Sequence, residues 1–386
     1  MTKTILILGG YGNFGKRICE TLAQVDNVRL LIAGRDKVKA EALCNQLREK
    51  KSAASFQAVA LDIFSESFPA QLAGLKPFLV IHTSGPFQGQ DYRVPQACID
   101  AGSHYIDLAD DRRFVCDIAK LDAQAKAKNL LVVSGASSVP GLASTVIDFF
   151  VHQFSRIDSI DIAIAPGNRA ERGAATVKAI LSYTGHKIPV FENGEWIYKF
   201  GWMSPRKLDF GPELGARWLA NVDVPDLELF PARYAPVQTV HFQAGLELGL
   251  LHWGMVSMAW LTKIGLVKNW APLVKPIVAA SNWFINLGTD TGGMMIKMNG
   301  TNTTGADQEI VWRLTAKDGV GPYIPTLSAI ILAKQLITDL PFTAGAMPCL
   351  GLYSLDAFSE HAQRWNIYHQ TFINGTLVKD AEQING

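Results

Sequence analysis

The sequence predicts an α/β protein in which an N-terminal doubly wound parallel sheet is followed by a second, α+β domain. Short apolar runs rich in β-branched residues alternate with helical stretches up to about residue 150. A glycine-rich turn at 9–15 directly follows the first run, and after about residue 155 polar and apolar residues alternate within the runs. Strands that alternate with helices are typical of a parallel sheet covered on both faces.

The first half of the chain supplies six strand candidates and the helices between them. The predicted strands are 4–8, 28–33, 56–60, 79–83, 105–108 and 130–134, and the predicted helices are 14–24, 37–50, 68–75, 94–101 and 115–128. Short apolar runs without alternation indicate strands that are buried on both faces.

The second half has a different pattern. Residues 159–165 and 237–243 alternate as half-buried strands do, and 294–298 with 309–315 flank a turn-forming segment, which predicts an antiparallel hairpin. We therefore predict a parallel-sheet domain at 1–150 and an α+β domain after it.

Composition and net charge limit the classes of partner that we expect for this chain. The chain has 386 residues, 48% of them hydrophobic, with a formal net charge of +1, and it carries no basic stripe, so nucleic acid is not an expected partner. No secretory signal follows Met1. Five scattered cysteines lack metal-ligand spacing, so we expect reduced thiols, no metal and a cytoplasmic protein.

Two apolar stretches, 246–266 and 270–287, have alternative interpretations. Polar residues within the first stretch argue against a membrane-spanning helix. We expect a pair of buried helices, so a membrane is not an expected partner, although a dimer interface, a lipophilic channel and a membrane-surface helix remain open.

The turn after the first strand is the most informative motif. Gly10, Gly12 and Gly15 fit G-x-G-x-x-G between a strand and a helix. Glycine permits the tight turn, the approach of a pyrophosphate to the main chain and close packing of helix on strand. The amides at the helix start bind the anion. We therefore predict a Rossmann dinucleotide site, with contacts also from Tyr11, Asn13 and Phe14.

The end of the second strand indicates which dinucleotide binds. Arg35 stands twenty residues after Gly15, where NAD sites usually have a carboxylate, and a guanidinium there suits a 2′-phosphate. Gly34 would leave room for that phosphate. We predict NADP, with NAD still possible. Asp36 would cap the next helix, and Asp62 either contacts the adenine side or caps a turn.

The exits of the next three strands are expected to meet at one crevice. Ser84, Gly85 and Pro86 follow the fourth strand and are predicted to contact the nicotinamide ribose. The fifth strand leaves through 107–111 and the sixth through 134–141.

The motifs at 9–15, 33–35, 84–87, 97–108 and 138–141 resemble the saccharopine dehydrogenase NADP-binding domain. Pieces at 166–169, 181–183, 225–230 and 321–325 resemble a bacterial saccharopine dehydrogenase-like subfamily. The resemblance implies a Rossmann dinucleotide-binding domain at 1–150 and an α+β substrate or dimerisation domain at 151–320. It also implies a C-terminal segment at 321–386 that returns to the first domain, on which its helix from 325 to 337 packs. It also implies an NAD(P)-dependent oxidoreductase, with hydride transfer to a small carbonyl, imine or amino-acid-like substrate.

Candidates for chemistry follow from these positions. His104 and Tyr105 are candidates for proton transfer, with a structural role as the alternative. Asp107 and Asp110 are candidates for holding a substrate amine, with helix capping as the alternative. Asn168, Arg169 and Arg172 would clamp a substrate carboxylate, or an arginine there is a solvated or interdomain charge. We expect a homodimer. Two other functions stay open: a non-catalytic dinucleotide sensor, and a lipid-associated oxidoreductase that uses 246–287.

Overall fold

A computed structural model describes residues 2–50 and 52–378 of the chain, which divides into two compact units. The first unit comprises Met1–Leu142 and Tyr323–Tyr353, and the second comprises Ala143–Pro322 and Ser354–Gly386. The 3₁₀ and π turns are left unnumbered. The strands are β1 (Lys3–Leu8), β2 (Val28–Gly34), β3 (Ser55–Ala60), β4 (Leu79–His82), β5 (His104–Asp107), β6 (Leu131–Ser134), β7 (Phe154–Ala165), β8 (Lys187–Glu192), β9 (Glu195–Phe200), β10 (Arg206–Asp209), β11 (Ala216–Asn221), β12 (Thr239–Leu246), β13 (Gly292–Asn302), β14 (Asp307–Ala316), β15 (Gly345–Pro348), β16 (Ile367–Ile373) and β17 (Thr376–Val378).

The α-helices are numbered in the same way. They are α1 (Asn13–Leu22), α2 (Lys37–Glu49), α3 (Phe68–Leu75), α4 (Arg93–Asp100), α5 (Arg112–Cys116), α6 (Asp122–Ala127), α7 (Ala143–Phe150), α8 (Ala174–Tyr183), α9 (Asp226–Arg233), α10 (Gly249–Lys263), α11 (Val274–Asn282), α12 (Ile324–Ile337) and α13 (Leu355–Gln363). Within the described residues, no helix has the length and apolarity needed to cross a membrane.

The first unit contains a seven-stranded parallel sheet. Its order is β15-β6-β5-β4-β1-β2-β3, with β1 between β2 and β4. The strand order reverses at β1, which is where dinucleotides bind in doubly wound sheets. Leu8 pairs with both Ala33 and His82, so the ends of β1, β2 and β4 lie at one edge of the sheet. The predicted α/β fold class is confirmed.

Helices of the first unit follow the predicted pattern, with one correction. Asp36 caps α2, because its carboxylate accepts a hydrogen bond from the amide of Lys39 at 3.2 Å. The helix predicted over 115–128 is instead three short pieces, α5, a 3₁₀ turn and α6. The buried helix α12 packs against α1 in the same unit, where the resemblance places it.

The second unit is built on a mixed sheet of ten strands. Its main path runs β10-β11-β12-β7-β13-β14-β16-β17, with β8 joined to β12 and β9 joined to β8. Strands β13 and β14 pair antiparallel over their full length, as the hairpin prediction required. Only β12 and β7 pair in parallel among the described strands of this sheet.

The unit boundaries differ from the predicted domain limits in two places. Helix α7 belongs to the second unit, whereas the sequence placed residues up to 150 in the first. The described residues from Ser354 onward also belong to the second unit, because β16 pairs with β14. Only Tyr323–Tyr353 of the C-terminal segment lies in the first unit.

The expectation that 246–287 forms a pair of buried helices is wrong. Helix α10 buries a row of smaller or polar side chains, which are His252, Val256, Ala259 and Thr262. No residue of α11 is buried. Large apolar side chains of this stretch instead face outward, and Trp283 is 84% exposed.

His252 is the most unusual group on the buried face of α10. Its ring lies among Trp202, Trp218 and Trp253, with centroid separations of 5.5, 6.5 and 6.1 Å. Neither ring nitrogen has a hydrogen-bond partner among the described residues. Burial lowers the pKa of His252 to about 4, so the neutral ring is the folded form.

We expect acid to destabilise the second unit through His252, and His252→Phe to remove this effect. The unfolded chain takes up a proton below pH 6.5, its ordinary histidine pKa, whereas the folded chain takes it up only near pH 4. Stability from the neutral ring is therefore complete above pH 6.5 and is lost as the pH falls toward 4. At pH 5 the loss is about 2 kcal/mol.

Urea unfolding followed by tryptophan fluorescence at pH 8 and pH 5 measures this loss. The variant is expected to lose less stability between the two pH values than the parent chain does. Replacing the exposed His152 with Gln is the control and should leave the difference unchanged. An equal loss in His252→Phe and the parent would contradict the prediction.

Candidate functional site

The turn between β1 and α1 is held by main-chain hydrogen bonds. The amide of Gly10 donates to the carbonyl of Ala33 at 3.0 Å, and the amide of Gly12 donates to the carbonyl of Gly9 at 2.8 Å. Gly9 has a φ of +74°, which L side chains rarely adopt. The positive-φ residue of the turn therefore precedes the three motif glycines.

The three motif glycines differ in how strongly the fold requires them. A Cβ on Gly15 would lie 2.2 Å from the carbonyl oxygen of Gly9, so the helix can approach the turn only without a side chain there. A Cβ on Gly10 would lie 2.8 Å from a methyl group of Ile32. A Cβ on Gly12 would meet a single atom, the Gly9 oxygen, at 3.0 Å. Gly12 is exposed and has an ordinary φ of −74°, so the fold requires glycine least at this position.

Gly12 also occupies the N-cap position of α1 and offers no side-chain hydrogen bond to the helix. The first amides of a helix have no carbonyl within the helix to bind, and the helix dipole adds positive potential there. Phe14, at the start of α1, is half-buried, whereas Gly15 is buried. The turn therefore presents main-chain donors to an anion that approaches past Gly12.

Tyr11 fills the space that the sequence assigned to a phosphate beside Gly34. A Cβ on Gly34 would lie 2.5 Å from the Tyr11 ring, and the Tyr11 hydroxyl accepts a hydrogen bond from the amide of Asp36 at 2.9 Å. Glycine at 34 is thus required by the tyrosine. Tyr11 thereby fixes the end of β2 against the turn.

Arg35 follows Gly34 and is exposed. Within residues 2–50 and 52–378, its guanidinium has no hydrogen-bond or ion-pair partner, so its donors are available to a ligand. Asp62, after β3, is also exposed, and its carboxylate accepts from the amide of Phe64 at 3.1 Å. The turn-capping alternative for Asp62 is therefore realised in this structure.

The exit of β4 is tied to the turn after β1. The Thr83 hydroxyl donates to the carbonyl oxygens of Leu8 and Gly9, at 2.8 and 3.2 Å. A Cβ on Gly9 would lie 2.9 Å from the Ser84 hydroxyl. The exit is thus held beside the glycine-rich turn. The Gln90 side chain also braces it, donating to the carbonyls of residues 84 and 86 at 3.0 and 2.7 Å.

Asp107, at the end of β5, joins the fifth and sixth exits. One carboxylate oxygen accepts from the amides of Ala109 and Gly135 and from the Ser134 hydroxyl, each at 2.9 Å. Asp107 is completely buried, and burial raises its pKa to about 6 against the opposing effect of these donors. Its carboxylate therefore joins the two exits, and its role in holding a substrate amine stays a prediction.

Tyr105 also lies inside the first unit. Its side chain is completely buried, and its hydroxyl forms a 3.0 Å hydrogen bond with Nδ1 of His82. Burial lowers the pKa of His82 to about 3, which keeps that imidazole neutral. Tyr105 therefore makes a structural contact inside the unit, and its proton-transfer role stays a prediction.

His104 lies at the wrong edge of the sheet for hydride chemistry. It pairs with Leu79, the first residue of β4, and stands three residues before Asp107, or about 10 Å along the strand. Its Nδ1 accepts from the amide of Leu131 at 3.0 Å, and burial lowers its pKa to about 4. The structure thus gives His104 a packing role at the amino end of β5.

Asp110 is the predicted catalytic residue that stays accessible at the carboxyl edge. It is half-buried, and its carboxylate accepts from the Gln88 amide at 3.2 Å. This contact joins the exits of β4 and β5. Together with the Thr83 and Asp107 contacts, it brings the predicted strand exits next to one another.

The second-unit candidates mainly hold their own loop. The Asn168 amide group donates to the carbonyls of Phe284 and Leu287, each at 2.7 Å. Arg172 donates to the Asn168 carbonyl and to the Ser281 hydroxyl, each at 2.9 Å. Asn168 and Arg172 therefore hold this loop in place, and their contacts with a substrate carboxylate stay predictions.

Arg169 and Glu247 also make contacts that hold this loop. Arg169 is exposed and donates to the carbonyl of Asn286 at 3.1 Å. Glu247 accepts from the main-chain amides of Asn168 and Thr289, at 2.7 and 2.9 Å, and pairs with Arg217 at 3.1 Å. Sequence reasoning treated Glu247 only as a polar interruption of an apolar stretch.

Gly9 and Thr83 were also missed as parts of the site. Gly9 stands just outside the G-x-G-x-x-G spacing, although the Gly-Gly pair at 9–10 was visible in the sequence. Thr83 was treated as the last residue of a predicted strand. No local pattern signals that its hydroxyl caps the neighbouring strand β1.

Residues 5–133 match the family model described as saccharopine dehydrogenase NADP binding domain. No curated protein matches the chain. The match supports a nicotinamide dinucleotide as the cofactor of the first unit.

Solved structures give a wider match in fold. An apo saccharopine dehydrogenase (L-Glu forming) from Saccharomyces cerevisiae aligns with a TM-score of 0.68 and 14% identity, covering 96% of this chain and 99% of that one. A short-chain dehydrogenase from Oenococcus oeni aligns over 34% of this chain and 74% of its own, with 17% identity and a TM-score of 0.28. Residues 5–133 are therefore similar to the saccharopine dehydrogenase NADP-binding domain, and the chain as a whole has the fold of the yeast saccharopine dehydrogenase.

Proposed function

We propose that the protein is an NADP(H)-dependent oxidoreductase that acts on a small carbonyl, imine or amino-acid-like substrate. The observation that carries the proposal is Gly12, which the fold hardly requires to be glycine and which leaves the start of α1 open. A pyrophosphate on the main-chain amides explains the missing side chain. The matched family model supports the same ligand class.

The residues present fit a dinucleotide. The donors would be the amides at the start of α1, with Asn13 and Phe14 beside the diphosphate, and the exit at Ser84, Gly85 and Pro86 would hold the nicotinamide half. When bound, the cofactor supplies or accepts a hydride at its nicotinamide ring. The chain itself has to bind and orient it.

Arg35 supports NADP over NAD within this proposal. Its guanidinium is exposed, has no partner among the described residues and follows β2, the strand whose end contacts the adenosine ribose in Rossmann domains. A planar guanidinium binds phosphate oxygens through two parallel hydrogen bonds. Tyr11 would stiffen the main chain beside this contact.

Proton transfer is assigned to Asp110 in this proposal. It is the accessible carboxylate among the four predicted catalytic residues, and Gln88 orients it. Arg169 remains a proposed substrate contact, because it is exposed. The homodimer and the cytoplasmic location stay predictions from the sequence.

A second candidate is a dinucleotide-binding protein without catalysis. The burial of Tyr105 and Asp107 and the position of His104 at the amino end of β5 favour it, since these three predicted catalytic side chains are not exposed at the carboxyl edge of the sheet. NADPH oxidation against paired carbonyl compounds and amines separates the two functions. Tight NADPH binding without turnover of any pair would favour the second.

Gly12→Val is expected to abolish NADPH binding while the chain stays folded. The added side chain would occupy the path of the diphosphate but meets only one atom of the protein closely. Titration of NADPH fluorescence measures binding, and thermal unfolding monitors the fold. Gly15→Val is the matched comparison, expected to unfold the first unit, because its Cβ meets main-chain atoms at 2.2 to 2.9 Å. An unchanged NADPH affinity in Gly12→Val would refute the site.

Arg35→Ala is expected to weaken NADPH binding about 10- to 100-fold and to leave NADH binding unchanged. A loss of about 10- to 100-fold in affinity corresponds to the free energy of a hydrogen bond to a charged group. Arg29→Ala is the control, since Arg29 is exposed at the other end of the same strand. Equal losses for NADPH and NADH would show that Arg35 does not read the 2′-phosphate.

Asp110→Asn is expected to lower turnover about 100-fold with little change in NADPH affinity. The amide keeps the size of the side chain but cannot exchange a proton as a carboxylate does. Single-turnover rates on the active carbonyl and amine pair, together with fluorescence titration, separate the two effects. A rate equal to that of the parent chain would remove Asp110 from the mechanism.

A further inference from the structure

Helix α10 exposes its most apolar side chains and buries smaller or polar ones. Leu250, Trp253, Trp260 and Ile264 recur at intervals of three, seven and four residues, which places them on one face, and each is 43–67% exposed. The opposite face carries the buried row of His252, Val256, Ala259 and Thr262. A helix that only had to pack on its own domain would show the reverse distribution.

Large apolar side chains are also exposed after the helix. Leu266 is 71% exposed in the turn after α10, and Trp283, directly after α11, is 84% exposed. We define the apolar patch as the outer face of α10 together with Leu266 and Trp283. Isolated apolar side chains on a surface are ordinary, but several large ones on one helix face mark an interaction site.

Charge on the same stretch has one sign. Residues 248–289 contain Lys263, Lys268 and Lys275 and no aspartate or glutamate, which gives +3 in a chain whose formal net charge is +1. All three lysines are exposed, and none forms an ion pair within the described residues. The Lys263 ammonium lies 4.7 Å from the centroid of the Trp260 ring. Lys263 therefore lies beside an aromatic side chain of the outer face of α10.

We propose that the apolar patch binds the surface of an anionic phospholipid bilayer. Tryptophan and leucine side chains would enter the headgroup region, and the lysines would contact lipid phosphates. Helix α10 would lie in the plane of the surface. The proposal goes beyond the dinucleotide function and depends on none of its residues.

The lysines of residues 248–289 favour a lipid surface over a second copy of the chain as the partner of the apolar patch. Pairing of two patches would bring together six lysines with no carboxylate from either stretch. Like charges across an interface oppose association. A bilayer containing phosphatidylglycerol offers apolar depth and negative charge together.

Vesicle flotation of the full chain tests the proposal. Binding to vesicles of phosphatidylcholine with one-third phosphatidylglycerol is expected to exceed binding to pure phosphatidylcholine, and added salt should reduce the difference. The double variant Trp260→Ser, Trp283→Ser is expected to lower the partition coefficient about 100-fold, at about tenfold for each side chain. Both side chains are at least half exposed, so the fold should be retained.

The charge variant Lys263→Gln, Lys268→Gln, Lys275→Gln is expected to lower partitioning to the anionic vesicles about 100-fold, at about fivefold for each lysine. Trp196→Ser is the matched control, because Trp196 is 51% exposed on β9, outside the patch. NADPH titration should be unchanged in all three variants, so the outcome is independent of the dinucleotide site.

Three results would overturn the proposal. They are failure of the parent chain to float with anionic vesicles, equal flotation of the parent and the double tryptophan variant, and a dimer in light scattering that this variant converts to monomer while flotation is unchanged. The last result would assign the patch to a second copy of the chain.

Discussion

The close approach of Gly15 to the carbonyl of Gly9 is the constraint on which the proposed dinucleotide site, at the carboxyl edge of the parallel sheet, depends. A hydrogen atom in place of a side chain lets α1 begin directly against the turn after β1. This approach sets the direction of α1 and brings its first amides to the carboxyl edge of the sheet. The tie from Thr83 to Leu8 and Gly9 then holds the β4 exit beside the same turn. The other contacts at this edge of the sheet depend on where α1 begins.

Glycine serves two separable purposes in this turn. Gly9, Gly10 and Gly15 are required by the protein itself, through a positive φ or through close neighbours. Gly12 is required far less by its surroundings. A single motif therefore combines residues that shape the fold with one that leaves space for a ligand. This distinction links the steric map of the turn to a proposal about binding.

The sequence predicted the fold class and the strand ends because these follow from local patterns. The parallel sheet and the cap at Asp36 were read from apolar runs and short-range spacing. The roles of His104, Tyr105 and Asp107 were not predictable in this way, because which edge or layer a residue occupies depends on pairing with distant strands. The same holds for Tyr11, whose ring occupies the space beside Gly34. The outward face of α10 was missed because apolar composition does not say which side of a helix is covered.

The distribution of titratable groups limits how the edge can work. Asp107 and His82 are buried and form hydrogen bonds with other protein groups, so they help to hold the strand exits in place. Hydride transfer depends first on alignment of donor and acceptor, and a proton donor is a second requirement. In the proposed function, the buried hydrogen bonds of the exits would serve alignment, and the half-buried Asp110, which accepts from Gln88, would serve proton transfer. In that proposal the buried polar groups would act by holding the main chain of the exits in place.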